Sequence, residues 1–460
     1  MNLTIADIAA ATGGSIIKGE PTREITGVST DTRSLRVGDS FFALVGERHD
    51  GHSFVPDAVG RGAGALIVSR SVTGRTGTAA VVKVPDTLRA LGDLAAACRR
   101  KFDVGVVAVT GSVGKTTTKE MTAAVLGAKG ETLKNAGNFN NEIGLPLTVL
   151  DLTAEHRFAV LEMAMRGPGE IDRLAEIAQP DVGVITNIGI SHIERLGSVE
   201  AIARAKGELL GRLRTSGTAV LDADGEWWDF LRGLAPCRVV GFGFSERAQV
   251  RGSDLTLDEV GCPTFKVTAE GISEPVRFRL AAPGEHNAAN ALAAIAAGLC
   301  LGVRPEQAAE SLRACALPEM RMNVSISRAG VTVIDDTYNA SPASMAAALR
   351  LMRTLRGNRK IAVLGDMLEL GDQTSTAHFE VGELAVQSGA QLLLAVGERA
   401  AGMAEGARSA GLADQAIAGL RQSDQVAEML KPMLRPGDVV LVKGSRAMKM
   451  EVVVEGLLEE

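Results

Sequence analysis

A continuous apolar run, Val104-Gly-Val-Val-Ala-Val109, leads into Thr110-Gly-Ser-Val-Gly-Lys-Thr-Thr117 and then into a stretch with Met121, Ala124 and Val125 at helical spacing. This junction limits the possible folds more than any other part of the chain. An apolar strand without polar alternation belongs in a parallel sheet covered on both faces. Glycines 111 and 114 let the backbone turn tightly and aim its N–H groups inward. The following helix adds the positive end of its dipole, so the turn is built for an anion. Lys115 has the reach for β- and γ-phosphates, and the Thr116 hydroxyl suits Mg2+. Gly111, Ser112, Val113, Gly114, Lys115, Thr116 and Thr117 are the predicted nucleotide-binding residues. The strict phosphate-loop pattern has glycine where this chain has Val109.

The buried-strand pattern recurs at 158–163 and 181–186, and again at 331–336, 360–364, 391–396 and 439–443, with helical stretches between. Such alternation builds α/β units around parallel sheets. Residues 217–282 are richer in strand signals, and 284–301 reads as a helix. The helix from Ala343 places Met345, Leu349 and Met352 on one stripe, which marks core. Short strands are expected at 41–45, 65–68 and 80–82, followed by a helix over 86–100 with Leu88, Leu91, Ala95 and Cys98 on one face. At roughly 150 residues per domain, the 460 residues suggest three domains. We expect an α/β protein. A small mixed α/β domain spans 1–84, a P-loop-type parallel-sheet domain 85–318, and a Rossmann-like domain 319–460.

A net charge of −6 without a clustered basic face argues against nucleic acid, and 3% aromatic residues leave no base-stacking platform. Cysteines 98, 237, 262, 300 and 315 are odd in number and form no CxxC pair, so buried reduced thiols are expected rather than disulfides or zinc ligands. The N-terminus lacks the cationic start and apolar run of a signal peptide. The apolar stretch 288–301 is too short to span a bilayer. These features predict a cytoplasmic protein without membrane insertion, and a monomer is expected.

Three further residues stand where ligands collect at the carboxyl edge of a parallel sheet. Glu162 ends a buried strand and is either a Mg2+ ligand or a surface glutamate. His192 follows the next strand, in Thr186-Asn-Ile-Gly-Ile-Ser-His192, and is either functional or a loop histidine. Lys206, in Ala-Arg-Ala-Lys-Gly-Glu208, reads by default as a solvated helix lysine.

TGSVGKTT, NFNNEIGLP (138–146), the strand-end Glu162, NIGISH (187–192), the lysine of ARAKGE and GEHNAANALAA (284–294) together resemble the Mur ligases, ATP-dependent amide ligases of peptidoglycan precursor synthesis. Their order and spacing match across the central segment, and the likeness extends over essentially the whole chain. In that family the tight turn also begins at the equivalent of Gly111, so Val109 is no obstacle. DDTYNASP (335–342), GDMLELG (365–371) and STDTRSLRVGDSFFALVGERHDGHSF (29–54) are similar to the member that joins D-alanyl-D-alanine to UDP-N-acetylmuramoyl-tripeptide. A DNPR-like signature of the diamino-acid-adding member does not occur.

The resemblance implies roles. Lys115 would hold the ATP phosphates, Thr116 and Glu162 one Mg2+, and His192 a second. Lys206 would match the lysine that family members carbamoylate, which requires the amine to lose its proton. Asn287 and Asn290 would lie near the adenine. Arg321 and Asp336 would close over phosphate and ribose. Asn138, Asn140 and Asn141 are neutral amides that bind substrate or simply form a turn. Lys443 and Arg446, in KGSR, would hold the dipeptide carboxylate or form a basic surface turn, with Tyr338, Asn339 and Ser341 in the same pocket. Asp31, Arg33, Phe42 and His52 are candidates for uridine and pyrophosphate. The expected reaction makes an acyl phosphate from ATP and the tripeptide carboxylate, which the dipeptide amine then attacks. Whether the third residue of the tripeptide is diaminopimelate or lysine is left open. The alternatives are the diamino-acid-adding ligase or a folylpolyglutamate synthetase within the superfamily, and a P-loop ATPase switch outside it.

Overall fold

The computed structural model describes residues 3–46, 49–72, 74–191 and 193–459. The strand Gly105–Thr110 lies inside a nine-stranded sheet. Across that sheet the order is Val276–Arg279, Pro263–Thr268, Val250–Leu257, Arg238–Gly243, Thr218–Asp222, Val182–Ile185, Gly105–Thr110, Phe158–Glu162 and Thr132–Lys134. The first three strands pair antiparallel and all later neighbours pair parallel. The apolar runs are buried on both faces, as a covered parallel sheet requires. Val107, Val109 and Val160 enter one core layer, while Val106, Ala108 and Leu161 enter the opposite one. The alanine-rich helix His286–Cys300 fills the first layer, with Ala288, Ala291, Leu292 and Ile295 fully buried. Its apolar character is therefore explained by the core. Among the described residues no helix is long and apolar enough to cross a membrane.

A five-stranded sheet precedes it, ordered Ser15–Lys18, Ala80–Lys83, Ala65–Val68, Ser40–Phe42 and Val28–Ser29, with only the first pair antiparallel. The strand expected to run to Val45 stops at Phe42. The Ala43 carbonyl accepts a hydrogen bond from Thr87 Oγ1 at 3.0 Å, and the chain then folds back, with Gly51 N–H on Leu44 O at 2.7 Å. Thr87 opens the helix Thr87–Arg99, whose first N–H groups are capped by Asp86. Leu91, Leu94 and Cys98 of that helix share a core with Ile67 and Val82 of the sheet.

The third sheet is ordered Asn323–Ile326, Thr332–Asp336, Asp438–Lys443, Arg359–Gly365, Leu392–Val396 and Ile417–Leu420; its first pair is antiparallel and the rest are parallel. Met345, Leu349 and Met352 are fully buried against one face. The five cysteines are free; Cys98 and Cys262 are buried, but Cys237, Cys300 and Cys315 are only half-buried, at variance with the expectation that all would be.

Helices Thr374–Gln387 and Ala401–Ser409 cross with their backbones in contact. A Cβ at Gly382 would lie 2.0 Å from Met403 O, and one at Gly406 would lie 1.9 Å from Phe379 O. Neither backbone oxygen can yield without separating the helices. Gly406→Ala is expected to destabilise the protein by about 1–3 kcal/mol, read as a lowered urea midpoint at unchanged slope. An unchanged midpoint would mean that the helices part freely.

Candidate active site

The strand Gly105–Thr110 ends between two parallel neighbours, with Val109 opposite Glu162 and Thr110 opposite Ile185. The chain turns at Gly111 (φ +149°), where a Cβ would lie 1.9 Å from Thr186 Oγ1. It enters the helix Lys115–Gly127 through Gly114 (φ +84°), where a Cβ would lie 2.3 Å from Asn290 Oδ1. Only glycine tolerates both the backbone angle and the crowding at these two positions.

A second loop is knitted to the first. Ser112 N–H donates to Asn187 O at 3.0 Å, and Val113 N–H to Asn187 Oδ1 at 2.9 Å. Val113 O accepts from Thr186 Oγ1 at 2.6 Å and from Asn187 Nδ2 at 2.9 Å. Ser112 Oγ bonds Gly189 through both its O and its N–H. The N–H groups of Ser112 and Val113, expected to point at a ligand, are thus spent on the neighbouring loop. The helix N-terminus, whose first N–H groups lack intrahelical partners, is left for an anion. Asn187 and Thr186 were read only as part of a motif; a polar pair just beyond a buried strand was the available signal.

Lys115 folds back on its own loop, donating to Gly111 O at 2.8 Å and Ser112 O at 3.3 Å. Burial holds its pKa below the usual lysine range; Glu162 works against that shift and Arg321 adds to it. Lys206 donates to the same Gly111 oxygen at 3.0 Å. Its side chain is not solvated: Lys206 is 1% exposed. It lies four residues from both Ile202 and Leu210, inside the apolar stripe of the helix Val199–Gly211. That spacing was the overlooked signal. Burial first, and the charge of Lys115 second, push its pKa well below the ordinary value. His192 lies outside the described residues.

Glu162 is buried, and its carboxylate accepts from Thr116 Oγ1 at 2.8 Å and from Asn140 Nδ2 at 2.7 Å. Asn135, which sequence reasoning missed, clamps the Glu162 backbone through both its amide atoms at 2.9 and 3.0 Å. These donors offer hard oxygen ligands, and no group of three metal-ligating side chains occurs among the described residues. Such a set fits Mg2+, which completes its shell with water and phosphate.

The helix His286–Cys300 supplies Asn287 and Asn290 to the same cleft of about 510 Å3. Asn290 Nδ2 donates to Asn287 Oδ1 at 3.0 Å, and Asn287 Nδ2 donates to Pro283 O at 2.6 Å. His286, also facing the cleft, has its pKa lowered to about 4 by burial and by Arg350 and Lys443. The opposite wall comes from the third sheet. Arg321 stacks over the Tyr338 ring at 4.0 Å. Its neighbours Met320 (φ +61°) and Met322 (φ +54°) both adopt the left-handed region. Two strained non-glycine residues around one arginine, at about 1–3 kcal/mol each, mark a held position.

Family descriptions match three stretches: the Mur ligase middle domain at residues 109–298, the Mur ligase glutamate ligase domain at 320–446 and the Mur ligase family catalytic domain at 24–99. A Bacillus subtilis UDP-N-acetylmuramoyl-tripeptide–D-alanyl-D-alanine ligase is 40% identical over 458 residues, covering 99% of this chain and 98% of its own length. The chain belongs to the Mur ligase family. Among solved structures, the Acinetobacter baumannii UDP-N-acetylmuramoylalanyl-D-glutamyl-2,6-diaminopimelate–D-alanyl-D-alanyl ligase superposes with TM-score 0.89 at 32% identity, covering 100% of this chain and 99% of its own. The Thermotoga maritima MurF ligase, solved in complex with ADP, gives 0.82 at 31% identity over 94% of this chain and 97% of its own.

Within this Mur ligase, the candidate residues divide between two cavities, the core and the surface. Thr117, Asn138, Asn140, Tyr338, Asn339, Ser341, Asp336 and Arg446 line the nucleotide cleft. Ser341 also caps the helix Pro342–Thr354. Lys443 is no free dipeptide ligand: it is 1% exposed, its ammonium pairs with the Asp336 carboxylate, and it donates to Asn339 O at 2.8 Å. Asp336 is correspondingly tied down, its pKa raised by burial against the opposing pull of Lys443. Arg446 is exposed and bonds Glu451 at 2.6 Å.

A second cavity, of about 670 Å3, opens between the first sheet and the central segment. Asp31, Asn138 and Asn141 line it, together with Thr26, Ser29, Thr30 and Phe139. Asp31 is paired with Arg33, which points to solvent; that hydrogen-bonded pair lowers the Asp31 pKa. Asn141 Oδ1 accepts from the N–H groups of Ile143 and Gly144, so it serves as a turn former. Phe42 is fully buried in the core of the first sheet and cannot touch a ligand. His52 is likewise enclosed, with Nδ1 on Asp50 at 2.7 Å and Nε2 accepting from Ser69 N–H at 3.0 Å. Asn138 borders both cavities.

The folded state disfavours the protonated Lys206 amine, whereas the unfolded chain holds that proton up to the usual value of 10.5. The unfolded state therefore binds more protons below that value, and stability rises with pH across the interval. Lys206→Met removes the penalty. In CO2-free buffer the variant is expected to melt above the wild type at pH 7, with the gap closing as pH approaches 10. A gap independent of pH would refute the lowered Lys206 pKa.

Proposed function

We propose that this chain joins D-alanyl-D-alanine to UDP-N-acetylmuramoyl-tripeptide, forming UDP-N-acetylmuramoyl-pentapeptide, ADP and phosphate. It is an ATP-dependent, ADP-forming amide ligase. The observation that carries the reading is the meeting of two cavities at Asn138. A sugar nucleotide seated between the first sheet and the central segment extends its peptide past Asn138 to the phosphate loop. The B. subtilis and A. baumannii relatives carry out this ligation by name, and the T. maritima relative was solved with ADP.

The chemistry follows from the cleft. A carboxylate does not condense with an amine in water without activation, so the tripeptide carboxylate attacks the γ-phosphorus of ATP and ADP departs. The dipeptide amine then adds to the acyl phosphate, and phosphate leaves the tetrahedral intermediate. Charge crowding is the main barrier, and preorganised cations lower it. Lys115 leaves the Gly111 oxygen for the phosphates, and Arg321 reaches them from the third sheet. Thr116 Oγ1 and Glu162 would hold Mg2+, which would offset phosphate charge there. Lys206, once deprotonated, would take up CO2 with loss of a further proton, and as a carbamate it would hold a second Mg2+ together with His192. Asn287 and Asn290 face the adenine side, and Asp336 the ribose. Tyr338, Asn339, Ser341 and Arg446 form the dipeptide side. Asp31 and Arg33 take part on the sugar-nucleotide side.

Residues 1–84 thus serve the sugar nucleotide, 85–318 ATP and 319–460 the dipeptide. The protein acts as a monomer in this reading, and its soluble substrates suit the cytoplasm. Enclosure of the cleft also protects the acyl phosphate from water.

Phosphate release from Mg-ATP is measured with no substrate, with each substrate alone and with both. Release only with both, together with a pentapeptide product mass, is expected. Release that needs neither substrate would overturn the reading in favour of an ATPase switch. Arg321→Ala is expected to lower kcat roughly 10²-fold while the protein stays folded.

A further inference from the structure

Five cations line the nucleotide cleft: Lys115, Arg166, Arg321, Lys443 and Arg446. Three are bonded and a fourth is stacked. Lys115 bonds its own loop, Lys443 is consumed by Asp336, Arg446 pairs with Glu451, and Arg321 stacks on Tyr338 close enough to Lys115 to affect its titration. The guanidinium of Arg166 has no partner among the described residues. Its backbone is nevertheless fixed: Arg166 N–H donates to Glu170 Oε2 at 3.0 Å. Two residues earlier, Ala164 N–H donates to Asn140 O at 2.9 Å. Arg166 therefore stands on the segment tied to the Asn138–Asn140 turn, where the two cavities meet.

We propose that Arg166 binds a non-reacting carboxylate of the peptide donor as it passes from the sugar-nucleotide cavity to the phosphate loop. The inference rests on the ligase reading above. An alanyl-D-glutamyl peptide linked through one glutamyl carboxyl keeps the other as an anion. A diaminopimelyl third residue, activated at one carboxyl, keeps a second. Either anion suits a planar guanidinium with unused donors. Binding a group that does not react adds ground-state and transition-state affinity equally, so it acts on KM rather than kcat.

The test uses the full-length enzyme carrying Arg166→Met or Arg166→Lys, with donors ending in diaminopimelate or in lysine. Arg166→Met is expected to raise the donor KM roughly 10- to 100-fold. It should leave kcat and the KM values for ATP and dipeptide within twofold. Arg166→Lys is expected to recover part of the loss. A rise with both donors assigns the glutamyl carboxylate; a rise confined to the diaminopimelyl donor assigns the side-chain carboxylate. An unchanged donor KM with both, or a rise in the ATP KM instead, overturns the proposal. Should the wild type ligate neither donor, the ligase reading has failed. Calorimetric binding of the UDP-tripeptide to wild type and Arg166→Met then decides the carboxylate contact by itself.

Discussion

Two amines share one carbonyl oxygen. Lys115 and Lys206 both donate to Gly111 O, from the loop's own helix and from a helix some 90 residues later. Burial lowers the pKa of both, and the charge of Lys115 adds to the shift at Lys206. The oxygen is available to them only because Gly111 adopts a backbone angle and a closeness to Thr186 that exclude a side chain. Thr186 in turn holds Val113 O. A single peptide unit therefore sets the loop shape, the position of the Lys206 amine and the docking of the 186–189 loop together.

The third sheet is bound into the same arrangement. Ile190, flanked by two residues that bond Ser112, packs against the apolar core beneath the third sheet. A Cβ on Gly371 would lie 3.2 Å from Glu194 Cα, so the GDMLELG segment rests on the short helix Ile193–Leu196. Arg321 faces the phosphate loop from a turn held by two left-handed methionines, with Met322 N–H on Asp336 at 3.3 Å. The phosphate loop is thus clasped from two sides by contacts that do not include nucleotide.

Burial periodicity and glycine placement were legible in the sequence because both are local. Alternate residues of the strand Gly105–Thr110 enter opposite cores, and the loop glycines stand where the backbone demands them. Direction across a sheet edge is not local. Lys443 ends a strand at the carboxyl edge, as a ligand would, yet the neighbouring strand brings Asp336 alongside it and the pair neutralises itself. Phe42 lies in a motif that resembles a binding segment, but its strand is covered on both faces, with Phe41 in one core and Phe42 in the other. Asn135 escaped notice because its task is to hold the backbone of Glu162, and a residue that acts on backbone leaves no mark in spacing. Lys206 was readable in principle, since an apolar stripe interrupted by one lysine is a burial signal.

Charge balance then explains why so many polar groups in the cleft are already paired. Five cations face three carboxylates there, and isolated buried charges are costly. Pairing Lys443 with Asp336 and Thr116 with Glu162 keeps the cleft folded without its anions. What stays uncommitted is the donor capacity of two guanidiniums, Arg321 and Arg166. The arginines do not have to break a buried ion pair to take up an anion. Lys115 does have to release backbone oxygens, but those are neutral and cost less to leave. The cleft therefore separates groups that maintain its shape from groups free to meet negative charge.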